Sequence, residues 1–287
     1  MSELAGKTVH VLGGTGMLGR ALLAELTSRG VPYTALSRDD IDLSKPNTIA
    51  SMQPCDVLFN CAAWTDVDGA EKHEDLATQI NGHAIGQILS TGKAGLLVTF
   101  GTDYVFDGAG TKPYTVSHAR SPVNAYGRSK AVGEQAMEAA EQHRWLHVRT
   151  SWLYAPWGKN FVLTMRKLLQ ERDSLRVVND QRGRPTSAEH LARLTLGLID
   201  HRARGHWHGT DGGACTWYDF TCEIKRLIDA RSEVEPCASV EYARPAKRPA
   251  YSVLDINETE AELGPMPQWK DNLADVLRRV PEGITNA

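Results

Sequence analysis

The sequence predicts an α/β protein. A doubly wound parallel sheet is expected over residues 1–150, with a smaller C-terminal part over 151–287 and segments crossing between the two. Three observations carry this. Apolar, β-branched runs alternate with amphipathic segments through the first half, the pattern of parallel βαβ units. A glycine cluster sits between the first run and the first amphipathic segment. Beyond about residue 150 the alternation loosens, broken by Pro156, Gly158, Gly183 and Pro185.

In order, "KTVHVLGG" reads as a strand ending in glycines. "MLGRALLAELTSRG" carries Leu18, Ala21, Leu22 and Leu26 at helical spacing and stops at Gly30. "VPYTALSR" is a second strand. "DVLFNCAA" is a third, and its apolar continuity predicts burial on both faces. "EDLATQINGHAIGQILSTGKAG" reads as one helix closed by glycines, followed by the strand "LLVTFGTDYVF". The Ala-, Glu- and Gln-rich stretch after Asn124 is a helix, and "HRWLHVRTSWLYA" a further strand. "VSHARSPVN" and "ARPAKRPAYSV" read as loops or short strands.

Bulk composition narrows the classes. The 287 residues are 41% hydrophobic and 23% charged, with net charge -3. No basic excess points to nucleic acid, and no apolar run approaches the roughly 20 residues of a membrane span. The N-terminus lacks a charged start followed by an apolar stretch, so no signal peptide is expected. Five cysteines without a C-x-x-C pair suit a reducing cytoplasm rather than a disulfide framework or zinc ribbon. His201, His206 and His208 lack metalloprotease spacing and a neighbouring acid, so they read as strand and loop residues; no metal is expected.

"VLGGTGMLGRAL" follows a strand and opens a helix. Gly14, Gly16 and Gly19 satisfy G-x-G-x-x-G, and Gly13, Gly16 and Gly19 satisfy G-x-x-G-x-x-G. Both meet one need: a tight turn brings backbone and helix N-terminus against a pyrophosphate. This predicts a nucleotide-binding, Rossmann-type first part. At the end of the third strand, Asn60, Cys61, Ala62 and Ala63 are small enough to leave room for ribose and phosphates, or simply for close helix packing.

In "SPVNAYGRSKAVGEQAM", Tyr126 precedes Lys130 by four residues, on one helical face. Alone, this is better explained by a Tyr packed on a Lys stem. Together with the glycine loop and a hydroxyl at the strand-end Thr102, the pattern resembles the extended short-chain dehydrogenase/reductase superfamily. That resemblance implies ketone reduction. A free phenol has a pKa of about 10, and a neighbouring ammonium favours the phenolate. Tyr126 would then be the general acid, Lys130 its tuner and cofactor anchor, and Thr102 the orienter of the substrate oxygen.

"NCAAWTDVDGAE", "GTDYVFDG", "VNAYGRSKAVGEQ", "RTSWLYAPWGKNFVLTM", "VVNDQRGRPTSAEHLA", "GHWHGTDGGACTWYDFTCEI" and "KRPAYSVLD" resemble the dTDP-4-dehydrorhamnose reductase family, to about residue 277. The resemblance implies reduction of the 4-keto group of a dTDP-linked 6-deoxyhexose, to dTDP-L-rhamnose. It implies Thr102, Tyr126 and Lys130 as the catalytic trio. Gly16, Met17 and Leu18 fall in the cofactor loop, and Ala62, Ala63 and Thr65 along the cofactor. Asp103 and Trp152 match substrate contacts, the indole being suited to a sugar face or base edge.

Three departures stand out. Gly101 replaces a frequent serine, Trp157 adds an aromatic near the expected sugar site, and the acidic ligands of an interface metal have no counterparts. A homodimer is left open.

Cofactor choice rests on "TALSRDD". In NAD-binding sheets an acid about 20 residues past the glycine loop takes the ribose; here Ser37 and Arg38 stand in that region. A guanidinium and a hydroxyl suit a 2′-phosphate. Asp42, with Leu43 beside it, falls near the adenine. NADPH is therefore expected, with some use of NADH; a shift of one or two residues would bring Asp39 or Asp40 to the ribose instead.

Three alternatives share the scaffold. A deoxysugar 4-ketoreductase of secondary metabolism differs only in substrate. A nucleotide-sugar epimerase would retain tightly bound NAD. A non-catalytic regulatory subunit would need none of the trio.

Overall fold

The computed structural model describes residues 2–280; the end of the expected second part, residues 281–287, lies outside them. Strands β1 (Val9–Leu12), β2 (Thr34–Leu36), β3 (Cys55–Asn60), β4 (Ala94–Thr102) and β5 (Trp145–Thr150) alternate with helices. These helices are α1 (Met17–Ser28), α2 (Pro46–Ala50), α3 (Val67–Ala70), α4 (Glu74–Thr78), α5 (Ala84–Thr91) and α6 (Ala125–Glu138). Then follow β6 (Leu153–Tyr154), α7 (Phe161–Glu171), β7 (Ser174–Val178), β8 (Arg182–Gly183), β9 (Thr186–Ser187), α8 (Ala188–Asp200) and β10 (Gly205–His208). The chain closes with β11 (Cys215–Thr216), α9 (Trp217–Leu227), β12 (Glu233–Cys237), α10 (Asn257–Leu263) and α11 (Trp269–Arg278).

Six strands form a parallel sheet in the order β10-β5-β4-β3-β1-β2. The order reverses between β1 and β3, and ligands bind such sheets in the crevice at that switch point. One face is covered by α1 and α8, whose Leu18, Leu22, Leu191 and Leu198 join Val11 and Phe59 in a core. The other face is packed by Ile49, Ile85, Ile88 and Met137. A third core, around Tyr154, Val162, Phe220 and Trp269, belongs to the C-terminal elements. Short pairs β7/β12, β8/β11 and β6/β9 lie there.

Chain position and architecture do not coincide. From the second half, α8 packs on α1 and β10 extends the sheet beside β5, so a cut at residue 150 does not separate two bodies. His206 and His208 are strand residues of β10. Two segments differ from expectation. The single helix over 74–95 is instead α4, a π-helical turn Gln79–His83, and α5, ending at Gly92 with φ +67°. The turn positions the Asn81 side chain, which bonds Trp64 N–H and C=O at 2.9 and 3.0 Å. The strand over 143–155 breaks at Ser151–Trp152, because Trp152 takes φ +47°. Among the described residues no helix is long and apolar enough to cross a membrane.

Candidate active site

The glycine loop turns between β1 and α1. Gly13 has φ +81°, and a Cβ there would lie 2.6 Å from Ala62 N. A Cβ on Gly19 would lie 2.1 Å from Gly13 O, so α1 closes on its own loop only because residue 19 is glycine. Gly16 caps α1 without a side-chain bond, and the first turn holds no acid. Its free N–H groups and positive helix end suit a phosphate.

Beside this loop lies a cavity of about 380 Å³. It is lined by Gly13, Ser37, Arg38, Asp42, Leu43, Ala62 and Ala63, all expected from sequence, and by Thr15 and Ile80, which were not. Of the other expected residues, Leu18 is buried in the core and can offer only its backbone, and Thr65 is exposed. Met17 accepts a bond from Trp157 Nε1 at 3.2 Å, and the Arg20 guanidinium lies 4.5 Å over the Trp157 ring. Trp157 therefore braces the glycine loop.

The end of β2 is tied by acids. Ser37 donates its N–H and hydroxyl to Asp40 Oδ2 at 2.7 and 2.8 Å, so its proton is not free for a phosphate. Arg38 Nε bonds Asp42 Oδ2 at 3.3 Å, and its side chain is 77% exposed. Asp42 accepts from Ser44 N–H and Oγ, and these bonds hold its carboxyl down at about 2. Asp42 thus stands as an anion at the cavity wall. Lys45, 3.5 Å from the same carboxylate, was missed from sequence.

Thr102 ends β4 and Tyr126 opens α6, which Asn124 caps by accepting from Gly127 N–H at 2.7 Å. A Cβ on Gly127 would lie 2.1 Å from Tyr104 O. Glycine there lets α6 sit directly on the turn after Thr102 and brings the phenol and hydroxyl together. Burial raises the Tyr126 pKa above its ordinary value; Asp103 and Tyr104 add to this and the Thr102 hydroxyl opposes it. The expected depression by Lys130 is absent. Lys130 Nζ donates to Phe100 O at 3.2 Å, and burial lowers its own pKa to about 8. A phenol held protonated remains suited to the role of acid.

Asp103 is buried, with burial pushing its carboxyl up to about 7. Tyr104 meets the Tyr126 ring edge-on at 6.0 Å between centroids, and its hydroxyl accepts from Arg248 at 3.3 Å. Trp152 stacks on Trp217 at 3.5 Å, nearly parallel. On its other side a Cβ at Gly183 would stand 2.6 Å from Cε2 and 2.8 Å from Cζ2 and Nε1, hence over the ring plane. Both indole faces are covered, leaving its edge for a ligand. Trp217, Gly183, Arg248 and Ser252 carried no local signal; only the fold brings them here.

Behind Lys130, one turn along α6, buried Glu134 accepts from Arg149 at 2.9 and 2.7 Å and from Arg120 at 3.0 Å. His147 Nε2 lies 3.2 Å from the same carboxylate. Ligand atoms of Glu134, His147 and His206 lie within 4.8 Å of one another. Two guanidiniums already hold that carboxylate, an environment hostile to a metal cation. His147 also accounts for Gly101: a Cβ there would lie 2.3 Å from its Nε2, so serine does not fit.

Residues 7–281 match the family model of the RmlD substrate binding domain. The dTDP-4-keto-6-deoxy-D-glucose reductase of Streptomyces niveus is 39% identical over 93% of this chain and 95% of its own. A dTDP-4-dehydrorhamnose reductase structure from Clostridium acetobutylicum superposes with TM-score 0.90 at 36% identity, covering 94% and 98% of the two chains. That of the Bacillus anthracis enzyme, in complex with NADP, has TM-score 0.88 at 32% identity, covering 95% and 99%.

Proposed function

We infer, from the premise that this chain belongs to the dTDP-4-dehydrorhamnose reductase family, that it reduces the 4-keto group of a dTDP-4-keto-6-deoxyhexose with NADPH. Relatives named for this activity span nearly the whole chain. The observation that carries the reading is local: the Thr102 hydroxyl and Tyr126 phenol meet at the carboxyl end of β4, on the same edge of the parallel sheet as the glycine loop that follows β1.

Bound NADPH supplies the hydride to C4. The loop around Gly13 and Gly16 would hold its pyrophosphate on the open end of α1. Arg38 would take the 2′-phosphate, and Ala62 and Ala63 would leave room for the ribose. Tyr126 gives its proton to O4 as the carbonyl becomes an alcohol, and Thr102 donates a hydrogen bond to the same oxygen. Lys130, hydrogen-bonded to Phe100 O, would anchor the nicotinamide ribose. The Trp152 edge and the C-terminal loops bound the sugar nucleotide, and the predicted product is dTDP-L-rhamnose.

The test is NADPH oxidation by the purified protein with a dTDP-4-keto-6-deoxyhexose, followed by nicotinamide absorbance. Turnover is expected for wild type. Tyr126→Phe should fold and bind cofactor but turn over at least about a hundredfold more slowly. Near wild-type rates in that variant would overturn the assignment of Tyr126, and no turnover by wild type would overturn the reading.

A further inference from the structure

Thr102 has one hydroxyl proton, and the site makes competing demands on it. Its Oγ1 accepts from Tyr104 N–H at 3.2 Å, faces the Tyr126 phenol, and stands 3.2 Å from Asp103 Oδ1. A hydroxyl has one proton and two lone pairs. An ionised Asp103 can only accept, so it would hold the Thr102 proton and leave none for a substrate carbonyl. A neutral Asp103 reverses the bond. Its own O–H then fills the second Thr102 lone pair, the first being filled by Tyr104 N–H. The Thr102 proton and the Tyr126 proton are then both left for the substrate oxygen.

We propose that Asp103 is a positioning residue for the reduction inferred above, held as a neutral carboxylic acid that donates to Thr102 Oγ1 and turns the Thr102 hydroxyl toward the substrate's carbonyl oxygen. This rests on that functional reading. Asp103 is 2% exposed and its Oδ2 is buried without a hydrogen-bond partner. A full charge on such an oxygen is costly, whereas a carboxylic acid is tolerated. The groups around it are Thr102 and Tyr104 on its own segment, Tyr126 on α6 and Ser252 on the C-terminal loop. Arg248 and Asp68 bond each other beside Tyr104, but neither acts on this carboxyl. The Ser252 and Thr102 hydroxyls favour ionisation, though Ser252 completes no bond to Oδ2. Burial wins, pushing the carboxyl to about 7. Ionisation as pH rises past that value captures the Thr102 proton.

The test compares wild type, Asp103→Asn and Ser252→Ala. The profile of kcat/KM against pH is read with NADPH and a dTDP-4-keto-6-deoxyhexose. The carboxylic-acid carbonyl stretch is read by infrared on the unliganded proteins. Wild-type kcat/KM should fall above pH about 7, approaching about tenfold per unit, below the fall set by Lys130 near about 8. Asp103→Asn keeps a donor for Thr102, so the activity it retains should lose the first fall, whatever its level. Ser252→Ala should move that fall to higher pH, and decides the matter should the Asn variant misfold. The infrared band should vanish through the same pH range and be missing in Asp103→Asn. A first fall unchanged in Asp103→Asn, or no acid band assignable to residue 103, overturns the proposal. Absence of turnover in wild type would sink the functional reading alone, and the infrared band would still decide the state of Asp103.

Discussion

Replacing Arg38 by alanine should separate the two nicotinamide cofactors. Arg38 lines the cavity, and among the described residues its only tie is a 3.3 Å bond to Asp42. Against a 2′-phosphate it would form charge-assisted bonds, worth about 1.5–3 kcal/mol where shielded. The side chain is 77% exposed, so solvent screening puts the gain at the lower end. Weakening the Asp42 pair subtracts less than about 1 kcal/mol, as for other exposed pairs. The net is about 1 kcal/mol, or roughly fivefold in kcat/KM at 1.4 kcal/mol per tenfold. Lys45, 3.5 Å from Asp42, limits the loss further. Steady-state kinetics with both cofactors should show NADPH kcat/KM falling about fivefold, mostly through KM, with NADH changed less than about twofold. Equal losses for both cofactors, or none for either, would refute the role of Arg38. A companion substitution, Asp40→Ala, should help NADPH, because it frees the Ser37 hydroxyl and removes a carboxylate from its side.

Trp217→Ala and Trp152→Ala should both weaken substrate use and spare cofactor binding. The stack at 3.5 Å is what holds the indole edge in place, and titration of NADPH binding against substrate KM separates the two effects. Glu134→Gln should cost about 3–5 kcal/mol of stability at neutral pH, since it strips a buried partner from Arg149; urea unfolding measures it. Stability should also fall with acid, in two windows. His208 stands at about 3 against an ordinary 6.5, so the unfolded chain binds its proton first and stability is lost as pH falls below 6.5 toward 3. Glu134 is held below its ordinary 4.5, so its share is present above 4.5 and lost below it. Melting temperatures that stay level across this range would contradict both assignments, and a Gln variant that tracks wild type below 4.5 would contradict that of Glu134.

Local chemistry determined much of this protein by sequence alone. Strand runs such as Val9–Leu12 and Cys55–Asn60 are apolar because both faces of a parallel sheet are buried. The glycines at 13, 16 and 19 mark a loop whose backbone must approach both a ligand and its own helix, and the spacing of Tyr126 and Lys130 places them on one helical face. These signals span a few residues each, so they survive without the fold. The tertiary structure decided what depends on distant neighbours. Asp40 captures the Ser37 hydroxyl, and Gly183 and Trp217 close both faces of Trp152. Trp157 swings onto Met17, while β10 crosses back to complete the sheet. Burial moves Tyr126 up, Lys130 down and Asp103 to about 7. A pKa follows from desolvation and from charges brought near in space, and the order of residues along a chain specifies neither until the chain has packed.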